Sequence, residues 1–280
     1  MTLDFSKCGK VKVIMSDYLK EIIKDFPEVI QGTVTSPASD HLFNVDENGK
    51  LLDEILARQF HTSTAKLLFV CKRARPDIQT AVAFLTTRVK SPDEDDWKKL
   101  RRVILYLNGT LDMALTLSGD NLNVPKWWVD GAYAVHPNMR GHTGVTMSLG
   151  EGSVLSWSMK QKLNTKSSTE TELIGVDDAM PHVLWTSYFL WGQGYEVESA
   201  KIYQDNLSAM LLEKNGKWSS GRRTKHINVR YFFVKDRIAS GEIEVNHCGT
   251  ENMVADFFTK PLQGALFRKF RALILNLDEK

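Results

Sequence analysis

Val145-Thr146-Met147-Ser148-Leu149-Gly150-Glu151-Gly152-Ser153-Val154-Leu155-Ser156-Trp157-Ser158-Met159 carries the periodicity on which the fold turns. Val145, Met147 and Leu149 alternate with Thr146 and Ser148, and Leu155, Trp157 and Met159 alternate with Ser156 and Ser158. Successive side chains of a strand point to opposite faces, so both runs predict half-buried strands, joined by a turn around Gly150 and Gly152. A short aromatic strand over 126–130, ending in an acid, precedes them. Downstream, Ser168-Thr169-Glu170 has the form of a helix start, and the helix continues through Leu173, Val176 and Met180, with a kink or interruption expected at Pro181. Residues 201–204 read as a fourth strand and 206–213 as a short helix. Ile227, Tyr231, Val234 and Ile238 mark a longer helix, 242–246 a fifth strand, and 252–275 a helical stretch broken near Pro261. Strands in succession, then alternating with helices, predict an α/β fold: a mixed five-stranded sheet flanked by helices.

Upstream the pattern is different. A short hairpin turns around Cys8-Gly9, a helix runs from Ser16 to Pro27 with Leu19, Ile22, Ile23 and Phe26 at helical spacing, and 31–50 is an irregular loop. Three helices follow, over 53–73, 77–89 and 94–108, the last two beginning beside Pro76 and Pro92 with acids in their first turns. The polar stretch 118–124 is the expected boundary between a mainly helical segment, 1–118, and the α/β part, 119–280.

The 280 residues are 42% hydrophobic and 25% charged, which is ordinary globular usage and argues against disorder. With 36 basic and 34 acidic residues the net charge is +2, too small for a protein that coats duplex nucleic acid by phosphate neutralisation. Charge is nevertheless local: Lys214, Lys217, Arg222, Arg223, Lys225, Arg230, Lys235 and Arg237 face a single acid, Asp236, within 214–237. Cys8, Cys71 and Cys248 form no CxxC pair, which excludes a disulfide frame or a zinc site. No apolar run approaches the roughly 18 residues of a membrane span, and the start lacks the form of a signal peptide. The expected setting is intracellular.

Asp130, Glu172, Asp205 and Asp256 occupy strand ends or helix positions from which a fold could bring them together. Singly, each has an ordinary reading: Asp130 a solvated strand end, Asp205-Asn206 an N-cap pair, Glu172 a charge at a helix start, Asp256 a surface acid. Together they would be too anionic to stand without cations. Hard divalent ions prefer carboxylate oxygen, and two of them about 4 Å apart suit metal-assisted phosphodiester hydrolysis.

Trp128-Val129-Asp130-Gly131-Ala132, Lys160-Gln161, Ser167-Ser168-Thr169-Glu170-Thr171-Glu172-Leu173, Gln204-Asp205-Asn206 with Ser208-Ala209, Arg223-Thr224-Lys225-His226-Ile227 and Val254-Ala255-Asp256-Phe257-Phe258-Thr259-Lys260-Pro261-Leu262 occur in that order. In this the chain resembles the ribonuclease H domain of copia-like LTR-retrotransposon Pol polyproteins. Upstream, Ala65-Lys66-Leu67-Leu68-Phe69, Arg75-Pro76-Asp77-Ile78 and the run from Leu100 to Thr110 resemble the segment between polymerase palm and ribonuclease H, a thumb or connection gripping the template–primer duplex.

The resemblance implies a ribonuclease H-like sheet at 119–280, preceded by the end of the palm and the thumb or connection at 1–118. It implies a catalytic, metal-binding set of Asp130, Glu172, Asp205 and Asp256 with two Mg²⁺, for which Mn²⁺ can substitute. Glu172 is preferred to Glu170 because the family's catalytic Glu is followed by an apolar residue in a helix running inward. The substrate implied is the RNA strand of an RNA/DNA hybrid, distinguished by its 2′-hydroxyls. Asn206 and Ser208 are candidate contacts, and Arg222, Arg223 and Lys225 candidate phosphate contacts. His226 and His247 lie near these blocks, with a structural role the simpler reading of both. No Tyr-x-Asp-Asp motif is present, so the polymerase site is absent from this chain, and palm and fingers would be partners supplied from elsewhere. Val176-Asp177-Asp178 is a decoy within the helix of Glu172. The rival reading is a catalytically inactive remnant that binds template–primer without cleaving it. An integrase-type nuclease is disfavoured by the Asp-Glu-Asp-Asp order.

Overall fold

The computed structural model describes residues 1–215 and 228–277. The strands β4 (Lys126–Ala132), β5 (His142–Ser148), β7 (Leu155–Lys160), β8 (Ala200–Gln204) and β9 (Ile243–His247) form one sheet in the order β7-β5-β4-β8-β9. β5 runs antiparallel to both β4 and β7, with Asp130 opposite Gly144 and Val145 opposite Trp157. β8 is parallel to β4 and to β9. This is the mixed five-stranded sheet with flanking helices that the resemblance implies.

Helix α5 (Ser168–Gly192) packs along β4 and β5, and α6 (Leu207–Asn215) and α7 (Asn228–Ala239) pack beside it. Trp127, Val129, Val145, Met147, Val176, Met180, Val183, Ile202 and Val245 are the core between these layers. Ser167 caps α5 by accepting from the Glu170 amide, while a Glu170 carboxylate oxygen accepts from the Lys166 amide at 2.7 Å. That accounts for Glu170 as a capping residue. Of the kink or interruption expected at Pro181, the interruption does not occur: α5 runs through it. Pro181 sits on the solvent face, where water can satisfy the carbonyl its ring frees, while Met180 and Val183 are locked in the core. Asp177 and Asp178 pair with Arg230, tying α5 to α7, so the Asp-Asp decoy has a structural use.

A second, four-stranded sheet was not legible in the sequence. β1 (Thr2–Asp4) and β2 (Lys10–Ile14) form the expected hairpin, but β3 (Leu115–Gly119) pairs with β2, and β6 (Gly150–Glu151), in the β5–β7 connection, pairs with β3. Helices α1 (Ser16–Asp25), α2 (Glu54–Cys71), α3 (Gln79–Arg88) and α4 (Glu94–Asn108) agree closely with their expected spans. α4 starts in a reciprocal cap, the Asp96 amide donating to Asp93 and the Asp93 amide to Asp96, with Glu94, Asp95 and Asp96 at its positive end.

The stretch 252–275 is helical with its break around Pro261, as expected, but its first part is 3-10 and not α-helical. Two 3-10 turns, Thr250–Asn252 and Val254–Phe258, precede α8 (Gly264–Leu275). Phe257, Phe258, Phe267, Phe270 and Ile274 are buried in the same core as Leu19, Phe60, Leu67, Phe84 and Leu100. The chain's end is therefore packed into the helical layer built by its beginning. Among the described residues, no helix is long and apolar enough to cross a membrane.

Candidate active site

Asp130 belongs to β4 itself and not to a solvated strand end: it is 2% exposed. Its partner Gly144 and its neighbour Gly131 face opposite sides of the sheet, as strand alternation requires. A Cβ on Gly131 would lie 2.8 Å from the Thr171 carbonyl oxygen of α5, and one on Gly144 would lie 2.8 Å from that of Ala255. The two glycines thus let α5, carrying Glu172, and the 3-10 segment, carrying Asp256, close on β4 from opposite faces. Gly144→Ala is expected to cost about 1–3 kcal/mol, because backbone must move to admit the methyl. Urea unfolding checks it against Gly192→Ala, where a Cβ meets nothing within 4 Å.

Asp205 follows β8 directly, and ligand atoms of Asp130, Asp205 and Asp256 all lie within 4.8 Å of one another. Glu172 is beside them: it is 5% exposed, and its Oε2 has no hydrogen-bond partner. Thr259 Oγ1 donates to Asp130 Oδ2, Lys260 Nζ donates to Asp256 Oδ1 at 2.8 Å, and Thr250 Oγ1 approaches Asp205 Oδ2 at 3.4 Å. Burial, and then the Asp130 charge, push the Glu172 carboxyl well above its usual range and Asp256 up to about 6. Burial likewise raises Asp130, against the opposing pull of Lys260 and Thr259. The cluster holds more negative charge than the protein compensates. An orphaned buried carboxylate oxygen and a set of oxygen donors fit a hard divalent cation.

Asp130, Glu172, Asp205, Thr259 and Lys260 open on a cleft of about 570 Å³. Its wall includes Tyr133 and Val135 and, from the distant loop 31–50, Asp40, Phe43 and Asn44. That loop is pinned by buried Leu42, by Ser36 and Gln263, whose side chains hydrogen-bond at 2.8 Å, and by Phe43, which packs on Phe84, His136 and His142. Burial drives His136 down to about 4 and His142 to about 3, so both are neutral near pH 7. They form a buried chain through to Ser158 and stand apart from the carboxylates.

The other sequence candidates separate. Asn206 Oδ1 accepts from the Ser208 and Ala209 amides at 3.1 Å, capping α6, and Ser208 is exposed at the same helix start. His247 is exposed on β9. Arg222, Arg223, Lys225 and His226 lie outside the described residues. Sequence reasoning gave no role to Thr259 or Lys260, although their spacing from Asp256 places all three on one turn. It had no signal for Asp40, Phe43 or Asn44.

Glu213 of α6 is buried beneath Gln204, the residue before Asp205. The Gln204 carboxamide, with its nitrogen turned inward, donates to Glu213 at 2.8 and 3.2 Å. Burial pushes Glu213 up to about 8. A carboxyl whose folded pKa is raised favours folding below its unfolded pKa, and that contribution is lost as pH rises through the folded value. The thermal midpoint should fall from about pH 5 to about pH 9 in the native chain and fall less in Glu213→Gln, as scanning calorimetry can measure.

No protein-family model matches the chain. Its homologues are retrovirus-related Pol polyproteins of plant transposons, and they cover most of it. The polyprotein of transposon TNT 1-94 from Nicotiana tabacum is 25% identical over 275 residues, 95% of this chain and 20% of the relative. That of transposon RE2 from Arabidopsis thaliana is 33% identical over 198 residues, 70% of this chain and 14% of the relative. The chain thus spans a fifth or less of the length of these relatives. Among solved structures, the foamy viral protease–reverse transcriptase in complex with RNA/DNA hybrid aligns with 88% of this chain and 29% of its own, at 11% identity and TM-score 0.48. LC11-RNase H1, isolated from compost, aligns with 48% of this chain and 91% of its own, at 12% identity and TM-score 0.36.

Proposed function

We propose, from its homology to retrovirus-related Pol polyproteins of plant transposons, that this chain is the ribonuclease H-bearing part of such a polyprotein and cleaves the RNA strand of RNA/DNA hybrids. In this reading 119–280 is the nuclease domain and 1–118 the end of the palm with the thumb or connection. The observation that carries the reading is the convergence of Asp130, Glu172, Asp205 and Asp256 from separate elements onto one under-compensated cluster, buried at all but the half-buried Asp205.

Asp130, Glu172, Asp205 and Asp256 would hold Mg²⁺ or Mn²⁺. The chemistry a pair of such ions supplies is charge neutralisation at the attacking and leaving oxygens of a phosphodiester. The chain's own residues prepare that site. Thr259 fixes the Asp130 carboxylate, the Gln204–Glu213 pair and the Asn206 cap fix the backbone on either side of Asp205, and the capped start of α5 points Glu172 inward. Tyr133 and Asn44 offer neutral hydrogen-bonding groups along the cleft, suited to sugar hydroxyls more than to phosphate. Arg222, Arg223 and Lys225 are the candidates for phosphate contact.

The test is a gel assay of end-labelled RNA annealed to DNA, with RNA/RNA and DNA/DNA duplexes as controls, in Mg²⁺ and in EDTA. Cleavage confined to the RNA of the hybrid and dependent on Mg²⁺ is expected. Tight binding of the hybrid without cleavage in either Mg²⁺ or Mn²⁺ would instead identify an inactive template–primer binder.

A further inference from the structure

Lys260 is not an ordinary surface lysine. Thr259 and Lys260 both turn their amides onto the Asp256 carbonyl, at 3.2 and 2.9 Å, so the backbone wraps a single turn from Asp256 to Lys260. Pro261 follows, and Gln263 binds its carbonyl at 2.9 Å, which fixes where the turn leaves off. The turn delivers three groups to one place: Asp256, the Thr259 hydroxyl on Asp130, and the Lys260 ammonium. Lys260 Nζ stands 2.8 Å from Asp256 Oδ1 and 3.9 Å from Asp130 Oδ2, and the two carboxylates are 4% and 3% exposed.

Exposed i,i+4 pairs contribute little, because water screens both charges. Here the acids are buried and short of positive charge, so the pair belongs to the cluster's electrostatics. Burial works against the Lys260 charge, yet Asp130 and Asp256 outweigh it and its pKa is raised. An ammonium brings one charge and only donates hydrogen bonds, whereas a divalent cation brings two and takes several oxygens. The two compete for the same Asp256 oxygen.

We infer that Lys260 is a built-in counter-cation of the carboxylate cluster, holding Asp256 against Asp130 until a divalent ion displaces it. Its ion pairs go to Asp256 and Asp130, which leaves Asp205 as the member of the three-aspartate group not paired with the ammonium. Completing the site through Asp256 requires Lys260 to leave. Lys260 therefore acts as a positioning residue that sets the order and tightness of metal loading. The inference rests on the reading of the cluster as a cation site.

The experiment is a titration of the full chain with MnCl₂, without nucleic acid, followed by calorimetry and by the electron paramagnetic resonance signal of free Mn²⁺. It compares the native chain with Lys260→Met and Lys260→Gln, the second retaining a polar end should the first fail to fold. The native chain is expected to bind a strong and a weaker ion. Loss of the ammonium should tighten the weaker step about tenfold or more. It should also lower the metal-free thermal midpoint and enlarge the gain on adding Mg²⁺. In Asp256→Asn, removing Lys260 should tighten binding less than in the native chain, as a double-mutant cycle requires of a direct pair. Equal Mn²⁺ affinities with and without the Lys260 charge overturn the inference alone. Absence of any Mn²⁺ binding by the native chain overturns the cation-site reading beneath it.

Discussion

Asp130→Asn and Asp205→Asn are each expected to reduce Mg²⁺-dependent cleavage of a hybrid by about a thousandfold or more, since each removes a charge from the set proposed to bind the cations. Stability should move the other way. Asp130 is buried among like charges, and burial is the main reason its carboxyl resists ionisation. Asparagine keeps its shape and an acceptor for Thr259 while discarding the repulsion, so the metal-free Asp130→Asn chain should unfold at a higher temperature than the native one. A site that lowers stability for the sake of chemistry behaves in this way. Gel assays and scanning calorimetry on the same samples give both readings. Cleavage near the native rate in both variants would remove these residues from the site.

Much of that site could be read without coordinates, and for a physical reason. The strands, α5 and the acids lie in contiguous runs whose periodicity or spacing survives in one dimension, so Val145–Met159 predicts a hairpin and Ser167–Glu170 a cap. Asp130 was legible by kind but not by surroundings: burial depends on the 3-10 segment laid over Gly144, a contact between residues far apart in the chain. The second sheet was illegible for a related reason. β6 is only two residues long and pairs with β3 from within the β5–β7 connection, so it carries no pattern that would call for this partner. The loop 31–50 has turn chemistry and little else, yet buried Leu42 and the packing of Phe43 on His136 and His142 bring Asn44 to the cleft. Nothing local announces that.

The largest effect on stability is expected far from the carboxylates, at Arg75 and Asp77. Both side chains are at most 1% exposed, and they meet in a two-pronged pair: Nε to Oδ1 at 2.9 Å and an Nη2 to Oδ2 at 2.8 Å. The remaining donors of Arg75 reach the Thr110 carbonyl and hydroxyl, and the Tyr106 hydroxyl donates to Asp77 at 2.7 Å. Arg271 of α8 donates in turn to Tyr106. Burial opposes ionisation of Asp77, but Arg75 and these hydrogen bonds hold its carboxyl below the usual range. Arg75→Met would strand the Asp77 charge in the core, at a cost of about 3–5 kcal/mol in urea unfolding. Arg75→Met combined with Asp77→Leu should recover much of that loss, since a well-packed apolar pair often matches a buried ion pair. The network also joins the helical layer to α8, which follows directly on Asp256 and Lys260 in the chain. Cleavage by Arg75→Met should accordingly fail at a lower temperature than in the native chain and recover with the double replacement. Equal stability of Arg75→Met and the native chain would mean that Asp77 finds another partner on losing its arginine.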